Sequence, residues 1–520
     1  MSAEVVVPLV RATREEGDGP ALIVLDPGDS VGVARRTLAA GEALEGAASA
    51  LVAAVRVPVG HKVALLDIGA GERVLKYAQL IGVARVPIAA GEHVHVHNLD
   101  FVAADAHAIS ESPSPVVVET TDTFAGYRRA DGRAGTRNFI AVLSSVNCSA
   151  TVAHRIAAGF ANGVADFPNV DGVAAFTHGT GCGMAGEGEG FENLQRVVAG
   201  YARHPNVGGV LVVGLGCEVS QIATTLDAEQ LANGPLLRTM NIQSSGGTAA
   251  TIARGRAMIA EMLPEVNRSA RESCPASHLA LALQCGGSDA WSGITANPAL
   301  GHAADLLVRQ GGTAVLAETP EIYGAEHLLT RRAASPAVAE ALLARIRWWQ
   351  DYVARNRGSL DNNPSPGNKL GGLTTILEKS LGAVAKGGTT PLTAVYRYAE
   401  PIVERGFVFM DSPGYDPASV TGQIAGGCNL VAFTTGRGSA FGSKPAPCLK
   451  IASSSAMAAA LADDMDIDAG SVVSGGESIE TVGRRIHARL LEVASGSPTK
   501  SEAQGLGDHE FVPWQIGAVM

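Results

Sequence analysis

The stretches NFIAVLSSV at 138–146 and ATVAHRIAAGFA at 150–161 decide the fold class. The first is a short apolar run of strand length, and the second spaces its apolar residues as an amphipathic helix does. The same order recurs in VDGVAAFTH at 170–178 with FENLQRVVAGYARH at 191–204, and another apolar run, VGGVLVVGLG, follows at 207–216. Strands that alternate with helices predict α/β architecture with a mainly parallel sheet.

The chain before this region has a different texture. Strand-like runs such as ALIVLD at 21–26, HKVALLDI at 61–68 and RVPIAA at 85–90 are separated by Gly, Pro and Asp turns. Residues 1–103 are therefore predicted to form a small β domain. Residues 104–125 are rich in Ser, Pro and acids, which is typical of a linker.

The α/β pattern extends to the end of the chain, with a polar break near residue 268. We predict a second domain over 126–268 and a C-terminal α/β domain over 269–520. The fold class is thus mixed, with one small β domain followed by two α/β domains. The strand-like runs of the C-terminal domain are HLALALQCGGSD, GTAVLAE, GFVFMDSP and NLVAFTTG.

Composition excludes several classes of protein. The chain has 520 residues and a net charge of −11, and such an acidic balance does not favour DNA or RNA binding. The sequence lacks a long apolar run and a signal-peptide pattern, so no membrane partner is expected. The seven cysteines are an odd number without a secretion signal, which predicts reduced thiols and a cytoplasmic protein.

Four glycine-rich motifs follow predicted strands. They are THGTGCG at 177–183, GLGCE at 214–218, QCGGSD at 284–289 and TTGRGS at 434–439. In parallel α/β sheets, ligands bind where loops leave the carboxyl ends of strands. Tight βα turns also use glycine, but four such motifs with polar or thiol residues predict one shared site.

Within these motifs, His178, Cys182, Cys217 and Cys285 are the candidate metal ligands, with Cys148 as an alternative. Imidazole and thiolate donors suit Fe²⁺ or Zn²⁺ better than Mg²⁺. Three or four thiolates would also suit an iron–sulfur cluster. The spacings are long and no CxxC pair is present, so both alternatives stay open, as does the possibility that each cysteine is a small buried residue.

Six longer motifs resemble the altronate/galactarate dehydratase family, and they keep the family's order over nearly the whole chain. They are GHKVALLDI at 60–68, GEHVHVHN at 91–98, GYRRADGRAGTRN at 126–138, QCGGSDAWSGITANPA at 284–299, NPSPGNKLGG at 363–372 and FTTGRGSAFG at 433–442. The resemblance implies that the N-terminal domain is a β-clip of the SAF type. It also implies a dehydratase that acts on an aldonate or aldarate with Fe²⁺, Mn²⁺ or another divalent metal. We further expect a homodimer or a higher homo-oligomer.

Dehydration of a sugar acid needs a base for the proton α to the carboxylate and cations that stabilise the enediolate. His61, His178 and Lys369 are the catalytic candidates, and the resemblance favours entry of His61 from the β-clip domain. The predicted substrate-binding residues are Lys62, Asp289, Asn368, Thr435 and Arg437, of which Arg437 would bind a carboxylate in bidentate fashion. Simple structural roles are the alternative for each of them.

His93, His95 and His97 alternate along EHVHVH and would share one face of a strand. This face is either a metal-binding comb or a polar strand surface, and the sequence leaves the choice open.

Two rival functions remain. Sulfolactate sulfo-lyases resemble this family and expel sulfite, but there the β-clip module tends to be a separate subunit, so the fused chain favours loss of water. A non-catalytic sugar-acid-binding protein would not need several cysteines and histidines at strand ends. No G-x-G-x-x-G motif stands in the context that dinucleotide binding requires.

Overall fold

A computed structural model describes residues 20–45, 51–103, 116–119, 121–161 and 164–520. The N-terminal region consists of short antiparallel strands in three small sheets, with the orders β1-β2-β5-β8, β3-β4 and β6-β7-β9. The strands are β1 (Leu22–Ile23), β2 (Val31–Ala34), β3 (Ala43–Leu44), β4 (Leu51–Val52), β5 (Lys62–Ala64), β6 (Arg73–Lys76), β7 (Gln79–Ala84), β8 (His93–Val94) and β9 (Leu99–Asp100). The strands are short and the turns are frequent because a region of this size has too few side chains to form one large core.

The middle of the chain contains a parallel four-stranded sheet of order β13-β12-β14-β15. Helices α1 and α4 pack on it around Ile156 and Ile259, while α2 covers it around Leu194 and Val197. The elements are β10 (Thr123–Arg128), β11 (Ala134–Gly135), β12 (Phe139–Ser144), α1 (Ala150–Ala157), β13 (Gly172–Phe176), α2 (Glu189–Ala202), β14 (Val207–Gly214), α3 (Ile222–Ala228), β15 (Leu237–Asn241), α4 (Thr248–Val266) and β16 (Glu272–Pro275).

The C-terminal region contains a parallel seven-stranded sheet of order β19-β20-β18-β17-β21-β22-β23. Its strands are β17 (Ala280–Cys285), β18 (Thr313–Leu316), β19 (Leu392–Tyr396), β20 (Gly406–Met410), β21 (Leu430–Thr435), β22 (Cys448–Ala452) and β23 (Ile467–Asp468). Its helices are α5 (Ala296–Arg309), α6 (His327–Thr330), α7 (Pro336–Arg355), α8 (Pro366–Leu370), α9 (Ile376–Val384), α10 (Asp416–Gly426), α11 (Ser455–Ala460), α12 (Ser471–Ser474), α13 (Ile479–Ala494) and α14 (Lys500–Ala503).

The predicted fold class is confirmed, since the two large sheets are wholly parallel. Their strands read as continuous apolar runs because helices cover both faces. Residues 104–115 of the predicted linker lie outside the described residues. Its last part lies on the C-terminal domain, where Glu119 N donates to Arg309 O at 2.7 Å, and β10 begins at Thr123. None of the helices in the described ranges is long and apolar enough to span a bilayer.

Candidate active site

A cluster of histidine rings lies where the β-clip domain meets the C-terminal domain. The ring centroids of His61 and His95 are 4.8 Å apart and stacked, and those of His61 and His93 are 5.1 Å apart. The ring centroid of His93 lies 5.4 Å from those of His95 and His97, so the alternating histidines lie together with His61 beside them, although β8 covers only His93–Val94.

Hydrogen bonds fix the tautomers in this cluster. His61 Nε2 lies 3.3 Å from Leu370 O, and a carbonyl only accepts, so Nε2 carries the proton. His61 Nδ1 therefore accepts from His93 Nε2 at 3.0 Å. His95 Nε2 donates to Lys369 O at 2.9 Å. This assignment uses both nitrogens of His61 and leaves Nδ1 of His93 as an available lone pair.

His61, His93 and His95 are neutral at physiological pH, because the pKa of each is lowered. Burial, together with the charges of the neighbouring histidines, lowers the pKa of His93 to about 3. Burial and the charge of Lys62 lower the pKa of His95 to about 4, while burial also lowers the pKa of His61. Each ring can therefore accept a proton, and an anion bound beside it would raise these pKa values.

A fully buried ion triad joins the two domains below the histidines. Lys62 Nζ lies 2.8 Å from Glu378 Oε2, and Lys76 Nζ lies 2.9 Å from Glu378 Oε1. Lys62 Nζ also donates to Gly372 O at 2.6 Å. Burial would raise the pKa of Glu378, but the charges of Lys62 and Lys76 outweigh it and hold that pKa well below its usual range. Lys62, predicted to bind substrate, is thus committed to an interdomain ion pair.

The loop after β17 carries Asp289, whose carboxylate is buried. Its Oδ1 accepts from Ser292 N, Ser292 Oγ and Ser453 Oγ, each at 2.9 Å. Gly436 in the TTGRGS loop allows this approach, because a Cβ there would lie 2.1 Å from Asp289 Cγ. Burial raises the pKa of Asp289, and the serine hydrogen bonds oppose that shift. Asp289 thus ties two strand-end loops together.

Two cations at this edge lack partners. In the part of the chain that the structure describes, neither the Arg437 guanidinium nor the Lys369 ammonium forms a hydrogen bond or ion pair. Arg437 is exposed and lies beside Asp289, whose pKa its charge lowers against the dominant effect of burial. Lys369 follows Asn368, whose Nδ2 donates to Ser288 O at 2.7 Å. The two cations thus flank the loop after β17.

The remaining predicted substrate ligands are engaged within the protein. Asn368 Oδ1 accepts from Ser365 N at 2.9 Å and completes a capping box at the start of α8. Thr435 Oγ1 accepts from Gly438 N at 3.0 Å and is fully buried. Both side chains hold the loops that carry Lys369 and Arg437. Hydrogen bonds engage the polar atoms of both side chains within the protein.

A second buried cluster surrounds Cys285 at the end of β17. Lys386 Nζ donates to Cys285 Sγ at 2.8 Å, and Glu321 Oε2 lies 3.5 Å from the same sulfur. Lys379 Nζ donates to Glu321 Oε1 at 2.7 Å. A narrow cavity connects this cluster to Asp289 and is lined by Lys76 and Tyr77 of the β-clip domain, among others.

Cys285, Glu318 and Glu321 are the one group of three or more potential metal donors within 4.8 Å of one another that the described residues contain. Glu318 Oε1 is buried without a hydrogen-bond partner, and a cation bound by this group would provide one. The Lys386 ammonium, however, already lies 3.4 Å from Glu318 Oε2, and its side chain is 1% exposed. Burial also raises the pKa of the Cys285 thiol to about 12. The group therefore fits an ammonium better than a divalent ion.

The four predicted metal ligands do not form one group among the described residues. Cys285 lies in the cluster with Lys386, whereas Cys182 and Cys217 lie exposed on loops of the second domain, as does Cys148. His178 is buried with both nitrogens engaged. Its Nε2 donates to Ser144 O at 3.0 Å, and its Nδ1 accepts from Thr180 N at 3.3 Å. Burial lowers the pKa of His178 to about 4, so it holds the loop as a neutral ring.

Sequence reasoning missed the buried charges around Cys285 and Lys62. Glu318 stands two residues after β18, so the strand-end rule used for the cysteines would have found it. Glu378 and Lys379 lie on an apolar helix, α9, where two adjacent charges with no polar face are themselves a signal of buried ion pairs. Lys386 follows the same helix and gave no separate signal.

Comparison with known proteins assigns the three regions. Residues 20–101 match the altronate/galactarate dehydratase SAF domain, residues 126–267 the second domain of D-galactarate dehydratase/altronate hydrolase, and residues 276–519 the C-terminal domain of D-galactarate/altronate dehydratase. The chain belongs to the altronate/galactarate dehydratase family. The predicted SAF-type β-clip at the N-terminus is thereby confirmed.

Three relatives of the chain cover between 75% and 91% of it. The altronate dehydratase of Bacillus subtilis is 36% identical over 478 residues, 91% of this chain and 95% of that protein. The galactarate dehydratase (L-threo-forming) of Escherichia coli is 37% identical over 470 residues, 86% and 88% of the two chains. The (2R)-sulfolactate sulfo-lyase subunit beta of Chromohalobacter salexigens is 32% identical over 393 residues, 75% of this chain and 96% of that subunit.

Proposed function

We propose that the chain is a hydro-lyase that removes water from a sugar acid, either an aldonate such as altronate or an aldarate such as galactarate. The family assignment supports the reaction class, because this chain aligns with 95% and 88% of the lengths of the two dehydratase relatives. The observation that carries the site is the pair of unpartnered cations, Arg437 and Lys369, beside a neutral histidine cluster.

In this proposal Arg437 and Lys369 bind the substrate carboxylate and stabilise the enediolate that forms when the α-proton leaves. Arg437 offers two parallel N–H donors, which match the two oxygens of a carboxylate. The two cations stand on loops that Asp289 and Asn368 hold in place through the contacts with Ser292 and Ser288. The two cations therefore need little reorganisation when the substrate binds.

The histidine pair moves the proton. His61 is held by Leu370 O and orients His93, whose free Nδ1 is the acceptor. A base with a very low pKa is weak, but the bound anion raises the pKa of His93 towards the working pH. In this proposal His61 orients the base, and His93 is the group that takes the proton.

The family suggests a divalent metal, and we assign iron to this chain. The cluster around Cys285 already holds the Lys386 ammonium, so we place no ion there. The thiols that follow β12, β13 and β14 are exposed soft donors, and soft donors select iron or zinc over magnesium. Bound iron supplies Lewis acidity toward a carboxylate or hydroxyl oxygen.

An anaerobic assay with ferrous iron over a panel of aldonates, aldarates and sulfolactate tests the proposal. We expect turnover of at least one sugar acid to a 2-keto-3-deoxy or 3-deoxy-4-keto acid, detected by mass spectrometry. Faster release of sulfite from sulfolactate would replace the proposal with C–S elimination. Tight binding of a sugar acid without turnover under these conditions would make the chain a binding protein.

A further inference from the structure

Three cysteines lie on neighbouring loops of the second domain. Cys148, Cys182 and Cys217 follow β12, β13 and β14, which are adjacent in the sheet order β13-β12-β14. Because the strands are parallel, all three loops leave the same edge of the sheet. All three cysteines are exposed and none is in a disulfide.

Backbone and side-chain contacts tie these loops to one another. Asn147 N donates to Thr180 O at 2.9 Å, which joins the loop of Cys148 to the loop of Cys182. Ser220 N donates to Gly181 O at 3.0 Å, which joins the loop of Cys182 to the loop of Cys217. Ser145 Oγ donates to Glu218 Oε1 at 2.7 Å and closes the triangle. Each cysteine is the chain neighbour of a residue that makes one of these contacts, since Cys148 follows Asn147, Cys182 follows Gly181 and Cys217 precedes Glu218.

Gly181 allows the closest of these approaches. Its φ is +96°, and a Cβ there would lie 2.4 Å from Ser145 O and 2.8 Å from Val146 Cα. No other residue type fits this position, because a side chain would push the loop of Cys182 away from the loop of Cys148. The loops are therefore built to meet.

The Glu218 carboxylate and the His178 imidazole of these loops are already engaged, whereas two of the three sulfurs make no hydrogen bond among the described residues. Both carboxylate oxygens of Glu218 accept hydrogen bonds, from Ser145 Oγ and Gly216 N, and both nitrogens of His178 are engaged. Within the described residues, the hydrogen bond from Gln243 Nε2 to Cys217 Sγ at 3.4 Å is the sole one made by the three thiols. Three soft donors at one sheet edge remain available.

As placed, at least two of the three thiols lie farther apart than the ligands of one metal ion. Zinc–thiolate bonds of about 2.3 Å place the sulfurs of one tetrahedral site about 3.8 Å apart. Yet the three thiols do not belong to any group of donors within 4.8 Å of one another in the described ranges. The thiolates of an iron–sulfur cluster bind different irons and lie farther apart than the ligands of one ion.

We propose that Cys148, Cys182 and Cys217 hold a cubane iron–sulfur cluster. Each thiol loses its proton and binds one iron, and the fourth iron has no protein ligand from these loops. Such an iron is open to a carboxylate or hydroxyl oxygen, which is the ligand chemistry of a sugar acid. The cluster is proposed from the thiols alone. It deepens the proposed function, and only the binding of a sugar acid to the open iron rests on that function.

Anaerobic reconstitution of the full chain with equal amounts of ferrous and ferric iron and with sulfide tests the cluster without any turnover. We expect about four irons and four acid-labile sulfides per chain, with visible absorbance and an electron paramagnetic resonance signal after reduction. Cys148→Ser, Cys182→Ser and Cys217→Ser should each lose most of the iron and sulfide. Cys274→Ala and Cys285→Ser, which change buried thiols elsewhere, should retain both.

Alkylation followed by mass spectrometry covers the case in which a variant does not fold. In the wild-type chain, reconstitution should protect Cys148, Cys182 and Cys217 together against alkylation. One metal ion per chain without sulfide, a cluster that survives all three serine variants, or thiols that stay reactive after reconstitution would overturn the proposal. Loss of the cluster proposal would leave dehydration intact if the substrate panel still reacts with a single bound iron.

Discussion

Replacing Glu378 by glutamine is expected to lower the free energy of unfolding by about 3–5 kcal/mol, the usual effect of removing one partner from a buried ion pair. Glu378 accepts from Lys62, Lys76, Thr374 N and Thr374 Oγ1, and the side chains of both lysines are at most 1% exposed. The variant leaves two ammonium groups buried without a counter-charge. The loss should appear in the urea-induced unfolding transition that includes the β-clip domain.

Glu340→Gln is the matched control, because Glu340 pairs with Arg347 on the surface and both side chains are more than half exposed. A change within about 0.5 kcal/mol is expected there, as for most exposed pairs. If Glu378→Gln were as stable as this control, the triad would not join the two domains, and the placement of His61 would lose its support.

Replacing Arg437 by alanine is expected to lower kcat/KM for the sugar acid by about 30-fold or more, which corresponds to about 2 kcal/mol. The estimate follows from the loss of charge-assisted hydrogen bonds to a carboxylate. Arg437 is exposed and makes no hydrogen bond or ion pair within the described residues, so its removal should leave folding stability unchanged. Steady-state kinetics with the substrate found in the panel gives the answer.

Arg268→Ala is the control for charge removal, since Arg268 is an exposed arginine paired with Glu265 after α4. It should keep kcat/KM within a factor of about two, as surface pairs contribute little. An Arg437→Ala variant with the kinetics of this control would show that the carboxylate is bound elsewhere. Lys369→Met would then be the next variant, because Lys369 is the second unpartnered cation.

The fold class followed from the sequence because apolar periodicity is local. The run at 138–146 becomes β12, and the segment after it becomes α1, since buried parallel strands and amphipathic helices each leave a pattern within ten residues. The strand-end rule also placed Asp289 and Arg437 at one edge, where the approach of Gly436 to Asp289 brings them together.

Contacts between residues that lie hundreds of positions apart in the sequence leave no such local pattern. Lys62 pairs with Glu378, which lies 316 residues later in the chain, so nothing local to Lys62 distinguishes an ion-pair partner from a substrate ligand. The metal prediction grouped Cys285 with Cys182 and Cys217 because all three follow strands. The strands belong to two different sheets, and the strand-end rule identifies the edge of a sheet but not which sheet a strand joins.

The most direct test of the central claim is the reaction in D₂O, with the product examined by nuclear magnetic resonance. Loss of water across C2–C3 of a sugar acid gives an enol, and ketonisation of that enol takes a proton from solvent at C3. The account predicts a 2-keto-3-deoxy acid with one solvent deuterium at C3, formed by the wild-type chain with iron. A keto-deoxy product without deuterium at C3, or no keto-deoxy product from any sugar acid, would contradict it.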